Sequence, residues 1–369
     1  MMQRATVGSR LTSTDVRHLL RRLAFAATPS LERLVQGRSA DAALAALLRE
    51  SRRAGLPTVP DVVRQPWTNT ALRLSGMSDE QYDGLRATQV QSKQQDIELI
   101  RHWWLAEMIG NNAPLRENLV LFFEGTFGSA TELVDAPHAI YGRNALIRSR
   151  CLDTIPALLE ELIVDPAMMM QIGMDEHFRA RVSDRPAKLI LDHWTVGDGV
   201  YSDGDVENLS RALTGWRLTA PAGREPQPSP DVNAVGAARR TGLVPTFVPE
   251  QADTGSKTIL GTTGNFDAHS AIRLLARHPA TARRFSQRLL QHLGVEVPND
   301  RLVSTLTATY QSTDGSIEAL LRGIVRSAEF WSSASRWALI KSPAHMVVGA
   351  CRQLELTSPP LAMITSWMK

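Results

Sequence analysis

The chain has 369 residues, 43% hydrophobic and 21% charged. That is enough apolar surface for a buried core and too little charge for a disordered chain. Lys and Arg number 41 against 38 Asp and Glu, and the net charge of +3 gives no reason to expect a nucleic-acid partner. Two cysteines, Cys151 and Cys351, exclude a disulfide scaffold and a Cys-rich zinc site and read as buried, inert thiols. No apolar run reaches the roughly 18 residues of a membrane helix, and Met1 to Thr6 does not lead into the apolar segment of a secretory signal. The expectation is a soluble, cytoplasmic protein with no membrane partner, and its oligomeric state stays open.

Most of the chain reads as helix. Thr14-Asp15 looks like a capping pair, and Val16, Leu19, Leu20 and Leu23 follow on one face. Pro29-Ser30 restarts a helix, and Ala40 to Leu48 is Ala/Leu-rich without a breaker. Residues 55–77 read as a long irregular connection. Ser78 to Met108 suggests one or two long helices whose buried stripe is Ile97, Ile100, Trp103 and Trp104. Pro114 suits a first helical position before Leu115, Leu119, Phe122 and Phe123. Asp165-Pro166 opens a short helix ending near Gly173, and Ser202 to Asp205 is a capping-box pattern for a helix that Gly215 closes. Residues 220–245 are Pro/Gly/Ser-rich without a period and read as an irregular excursion. Short β-like pieces surround Thr246 to Val248 and Thr258 to Leu260. Five further helices follow, at Asp267 to His278, Pro279 to Leu293, Asp300 to Gln311, Ser316 to Ser327 and Ser342 to Leu354. The fold class is mainly α: one multi-helix globular bundle over 1–369, with at most a small β element.

Several residues could carry chemistry. Asp184, Lys188 and Asp192, spaced by four, line one helical face if Ser183 caps the helix and Pro186 sits in its first turn. They either hold a polar ligand or form an ordinary solvated ion-pair ladder. Asp253 to Lys257 is a turn that either aims Lys257 at an anion or is only a surface bend, and it lacks the spacing of a phosphate-binding loop. Glu124 ends an apolar helix, where burial would raise its pKa as a general acid requires, unless it faces solvent. His177 and His193 lie nearest the acidic cluster, but no metal-ligand His pair exists, so no metal is expected. Trp104, in His102-Trp103-Trp104, is core packing or a stacking face. Arg17, Arg21 and Arg22, and Arg283, Arg284 and Arg288, read as solvated basic stripes.

In order, the chain carries His18-Leu-Leu-Arg-Arg-Leu-Ala-Phe25, Trp103-Trp104-Leu105 with Pro114-Leu-Arg-Glu117, Leu121-Phe-Phe-Glu-Gly-Thr-Phe127 and Asp165-Pro-Ala-Met168. Then come Thr195-Val-Gly-Asp-Gly-Val-Tyr201, Arg211-Ala-Leu-Thr-Gly-Trp216 and Gly255-Ser-Lys-Thr-Ile-Leu-Gly261. His278-Pro-Ala-Thr-Ala282, Ser327-Ala-Glu-Phe330 and Lys341-Ser-Pro343 complete the series. With this order the chain resembles the bacterial family Domain of Unknown Function 1800, over about residues 14–355. The resemblance implies a helical fold and no established activity. It also marks departures. The family's Trp-His-Gly-His-Phe pattern is Phe123-Glu-Gly-Thr-Phe127 here, and its Asn-Glu-Asn-x-Ala-Arg-Glu motif is Ser183-Asp-Arg-Pro-Ala-Lys-Leu189. Its His-Asp-x-Gly-x-Lys loop is Ala252-Asp-Thr-Gly-Ser-Lys257, and its closing Gly/Trp-rich segment has no counterpart before Lys369.

Two functions remain in view. The first is an enzyme without metal or redox cofactor: a hydrolase, transferase or tailoring enzyme for a small polar or anionic molecule. Glu124, Asp184 and Asp192 would do its acid/base work, and Lys188, Arg211, Asp253, Lys257, His177 and Trp104 would hold the substrate. The second is a catalytically degenerate helical scaffold. The replacement of family histidines and arginines by other ionisable groups favours the enzyme.

Overall fold

A computed structural model describes residues 9–64, 78–128, 134, 136–174, 177, 180, 182–219, 243–295, 298–336, 340–356 and 359–361. Most of the expected excursion at 220–245, and 65–77 of the expected connection, lie outside the described residues. The architecture is mainly helical. α1 (Ser13–Leu23), α2 (Pro29–Val35), α3 (Ala40–Arg53) and α4 (Asp61–Arg64) lead into α5 (Asp79–Gly110), a single helix of 32 residues. α6 (Pro114–Phe127), α7 (Pro137–Arg150), α8 (Ile155–Leu162) and α9 (Pro166–Ile172) follow, then α10 (Arg185–Leu189) and α11 (Asp203–Ala212). The C-terminal third holds α12 (Ala268–Arg277), α13 (Pro279–His292), α14 (Asp300–Ser312), α15 (Ile317–Arg326), α16 (Ser333–Arg336) and α17 (Pro343–Gln353).

Local signals fix most helix ends. Proline occupies the first turn of α2, α6, α7, α9, α13 and α17, where a missing N–H removes no intrahelical bond. The α1 cap lies earlier than the expected Thr14-Asp15 pair. The Thr12 hydroxyl accepts from the Asp15 N–H at 3.2 Å, and the Asp15 carboxylate accepts from the Thr12 N–H at 3.1 Å. The same reciprocal pair, Ser202 with Asp205, opens α11.

The β content is two small antiparallel hairpins. β1 (Trp216–Thr219) pairs with β2 (Val244–Phe247), Trp216 opposite Phe247. β3 (Lys257–Ile259) pairs with β4 (Thr262–Gly264) across the two-residue turn Leu260-Gly261. Both turn residues have positive φ, 46° and 76°, the combination that lets so short a hairpin follow the strand twist. Leu260 tolerates it because its N–H donates to the Asp205 carboxylate at 2.6 Å, tying the hairpin to α11.

One contiguous cluster of buried apolar side chains runs from Leu11 to Trp331, with Leu20, Phe123, Leu159, Leu213, Phe285 and Leu321 among its members. A smaller one gathers Ile100, Val134, Tyr141 and Ala167. Both cysteines are buried, and burial pushes the Cys151 thiol up to about 12, so it is inert. Among the described residues, no helix is long and apolar enough to cross a membrane.

Candidate functional site

The helix expected to carry the acid–base–acid stripe is not uniform. α10 has normal geometry only to Leu189, and Ile190–Trp194 forms a π-helical turn, whose wider i→i+5 bonding breaks the 3.6-residue period. Asp184 and Lys188 are exposed, and Asp184 stands at the N-cap without a capping bond. Asp192 lies within the π-helical turn and accepts from the Tyr201 hydroxyl at 2.6 Å, which raises Tyr201 to about 12.

Lys257 is 1% exposed, and all three of its ammonium donors are engaged. They reach the carbonyls of Asp253 at 2.7 Å and Gly255 at 2.8 Å, and the Asp253 carboxylate at 3.5 Å. Arg211 grips that carboxylate with two bonds, of 2.9 and 3.2 Å, which holds Asp253 down at about 2. Arg211, Asp253 and Lys257 therefore staple the loop before β3 and leave the lysine nothing for a ligand.

Glu124 is buried, but it is neutralised. Its Oε2 faces Arg143 at 2.9 Å and its Oε1 accepts from the Asn144 side chain at 3.2 Å. The chain of partners continues both ways. Arg148 donates to Asn144 at 2.6 Å and, with two bonds of 2.9 Å, to Glu117, while Arg143 donates to Gln171 at 3.2 Å. These groups zip α6, α7 and α9 together. Asp165 lies at their edge, capping α9, and burial lifts it to about 7.

His177 is fixed as well. Its Nδ1 accepts from the Ser183 N–H at 3.1 Å, so Nε2 carries the proton and donates to the Ser210 carbonyl at 2.5 Å. Trp104 packs between two apolar clusters, and its indole N–H has no partner among the described residues. The polar partners of Glu124, Lys257, His177 and Asp192 are all different. Glu124, Lys257, His177 and Asp192 thus sit in four separate arrangements, while Asp184 and Lys188 stay exposed and Trp104 packs in the core.

A different constellation does converge. A cleft of about 500 Å³ opens between α6, α13 and the start of α17, lined by Phe122, Gly125, Thr126, Arg288, His292, Ser342 and His345, among others. Behind it lies Asn118, buried in the middle of α6. Its Nδ2 donates to the Arg22 carbonyl at 2.8 Å, which leaves its Oδ1 as the acceptor toward two histidines of the lining. That oxygen is within 3.1 Å of His292 Nε2 and 3.0 Å of His345 Nε2. An amide oxygen only accepts, so both Nε2 atoms carry protons and both Nδ1 atoms present lone pairs. His345 Nδ1 takes the Ser342 hydroxyl hydrogen at 2.9 Å, and His292 Nδ1 has no partner among the described residues.

Burial holds both rings neutral. His292 is pushed down to about 3 by desolvation and by His345, and His345 to about 4 by desolvation, Lys341 and Arg22. Arg288 is half-buried and donates to the His193 carbonyl at 2.7 Å through one N–H. Its other donors have no partner among the described residues, and none of the residues lining the cleft is acidic. Burial and the neighbouring Arg284 bring Arg288 down to about 10. Arg22, expected on a solvated stripe, is instead buried and donates to the Ser335 carbonyl. Its own carbonyl sets the orientation of Asn118.

A family model described as protein of unknown function (DUF1800) matches residues 18–369. The chain belongs to this family. No curated protein and no solved structure matches it. The DUF1800 assignment bears on the cleft, because Gly125 and Thr126, within the segment that resembles the family's Trp-His-Gly-His-Phe pattern, line it. In this DUF1800 chain Glu124 turns away into the ion-pair zip, and imidazoles reach the cleft from α13 and α17. Sequence reasoning passed over Asn118, His292, Ser342 and His345. The available signals were an Asn in the middle of an apolar helix and a Ser three residues before a His at a helix start.

Proposed function

We propose that the protein is an enzyme acting on a small anionic molecule bound in the cleft between α6, α13 and α17. The observation that carries this reading is the pairing of an under-used arginine with neutral imidazoles. Arg288 offers donors without a partner among the described residues where no carboxylate lines the wall, and His292 and His345 line the same cleft, His345 with its Nδ1 on the Ser342 hydroxyl and His292 with an Nδ1 that has no partner among the described residues. An anion would sit on the guanidinium, and the imidazoles would accept protons from it or from a water beside it. This reading moves the acid/base work away from Glu124, Asp184 and Asp192 and the anion-holding role from Lys188 and Lys257 to Arg288. The scaffold reading keeps one supporting observation: the Glu124 and Lys257 positions are spent on internal pairing.

Isothermal titration with inorganic phosphate and with succinate tests the site. Arg288→Ala should weaken binding at least tenfold while the thermal midpoint stays close to that of the parent, because Arg288 fills no core cavity. Equal affinity in parent and variant, or no binding of either anion to the folded parent, would overturn the assignment.

A further inference from the structure

We propose that Ser342 is a nucleophile that forms a covalent ester with the acyl group of its substrate, an ester or thioester of a small anionic acid. The inference rests on the cleft being the substrate site and names the chemistry done there. Ser342 is exposed on the wall of the cleft, and its hydroxyl lies 2.9 Å from His345 Nδ1. His345 is buried, and its far nitrogen is held at 3.0 Å by Asn118 Oδ1. The amide of Asn118 is itself fixed by the Arg22 carbonyl at 2.8 Å. The order is accessible hydroxyl, neutral base, buried orienting amide, the arrangement that activates a serine.

The orientation matters more than the proximity. A Ser at the N-cap of a helix ordinarily serves the backbone, and Ser342 does accept from the His345 N–H at 3.3 Å. That bond uses a lone pair of the oxygen and leaves its hydrogen free. The only ring nitrogen available to take that hydrogen is Nδ1, because Nε2 is committed to Asn118. The hydroxyl is thus polarised toward the imidazole while it stands at the positive end of α17, which favours negative charge developing beside it.

The step balances without a metal or redox partner. Oγ bonds to the acyl carbon as its proton passes to His345 Nδ1, and the tetrahedral adduct collapses with loss of an alkoxide or thiolate. The leaving group takes that proton away. Water then attacks the acyl carbon and gives a proton to Nδ1, which returns it to Oγ as the ester bond breaks and the free acid departs. An acid group on the substrate held by Arg288 adds negative charge to the cleft that His345 also lines, which favours the imidazolium formed when His345 takes the proton.

The test is a fluorophosphonate probe with adduct mapping by peptide mass spectrometry, run beside the phosphate and succinate titrations. The native protein should label at Ser342, denatured protein should not, and His345→Gln should slow labelling at least tenfold. Ser342→Asn is the structural control, because Asn caps a helix as well as Ser does and carries no nucleophile. It should keep the thermal midpoint and lose the label. Anion binding that depends on Arg288, with no label at Ser342, overturns the nucleophile and leaves the cleft assignment standing. Loss of both removes both, and label elsewhere on a folded Ser342→Asn variant also overturns the inference.

Discussion

Replacing Glu117 by Gln isolates the electrostatics of the buried zip, because the two side chains have nearly the same shape. Glu117 is fully buried and receives two bonds of 2.9 Å from Arg148, with Arg116 at 3.8 Å on its other side. Charge centres about 4 Å apart interact by about 4 kcal/mol at an effective dielectric of about 20. Removing the carboxylate leaves two buried guanidinium groups without that interaction, for which a loss of about 3–5 kcal/mol is expected. Against a total stability of about 5–15 kcal/mol for a folded domain, this is a large fraction. The double variant Glu117→Leu/Arg148→Met removes both charges together. It leaves the Asn144 side-chain oxygen, which Arg148 held at 2.6 Å, without its donor, and Arg116 without the carboxylate but still on the carbonyls of Ser51, Ala54 and Gly55, so it should cost less than Glu117→Gln, about 1–3 kcal/mol. Urea unfolding followed by circular dichroism gives each value from the midpoint and slope. A cost below about 1 kcal/mol for Glu117→Gln, or a double variant equal to the sum of its singles, would refute the reasoning.

Asp165 supplies a pH test. Its folded value of about 7 lies above the unfolded carboxylate value, so stability is fully present below about pH 4 and is lost as pH rises toward 7. Asp165→Asn keeps the α9 cap and should remove that slope, its urea midpoint gaining on the parent between pH 4.5 and 7.5; a constant difference between the two proteins would contradict the assignment. Lys257→Met should destabilise by about 2–4 kcal/mol, since it leaves two loop carbonyls without their donor. The same variant should bind phosphate and succinate as the parent does, and weaker binding would return Lys257 to the site.

The helical elements were legible because their signals are local. The stretch from Pro279 to Leu293 is bounded by a first-turn proline and then a glycine, and α13 runs Pro279–His292. Ser342 to Leu354 anticipated α17 for the same kind of reason. The site was legible only as residue types. Spacing placed Asp184, Lys188 and Asp192 on one stripe, yet Asp192 falls in a π-helical turn, which has no simple sequence signature, and pairs with the Tyr201 hydroxyl. Sequence left Glu124 open between burial and solvent; it is buried, and its partner Arg143 is on another helix that nothing near Glu124 in sequence announces. The cleft needed Arg22, Asn118, His292 and His345 from four helices, and that pairing exists only once the fold is formed.

A count of donors and acceptors decides which of these polar groups is available for function. A group already satisfied inside the protein binds a ligand only by giving up its partner, so its intrinsic attraction for the ligand is largely cancelled. Lys257 has three donors and uses three. Both oxygens of Glu124 are engaged, and both nitrogens of His177 are engaged. Arg288 has five donors, and one N–H has a partner among the described residues. The histidines of the cleft each commit Nε2 to Asn118. That commitment directs their unprotonated edges elsewhere: His345 toward an exposed hydroxyl, and His292 to no partner among the described residues. Glu124, Lys257 and His177, all singled out from the sequence, are therefore residues the fold consumes. Of these groups, Arg288 and His292 keep donor or acceptor capacity without a partner among the described residues, and both line the cleft that Ser342 and His345 share.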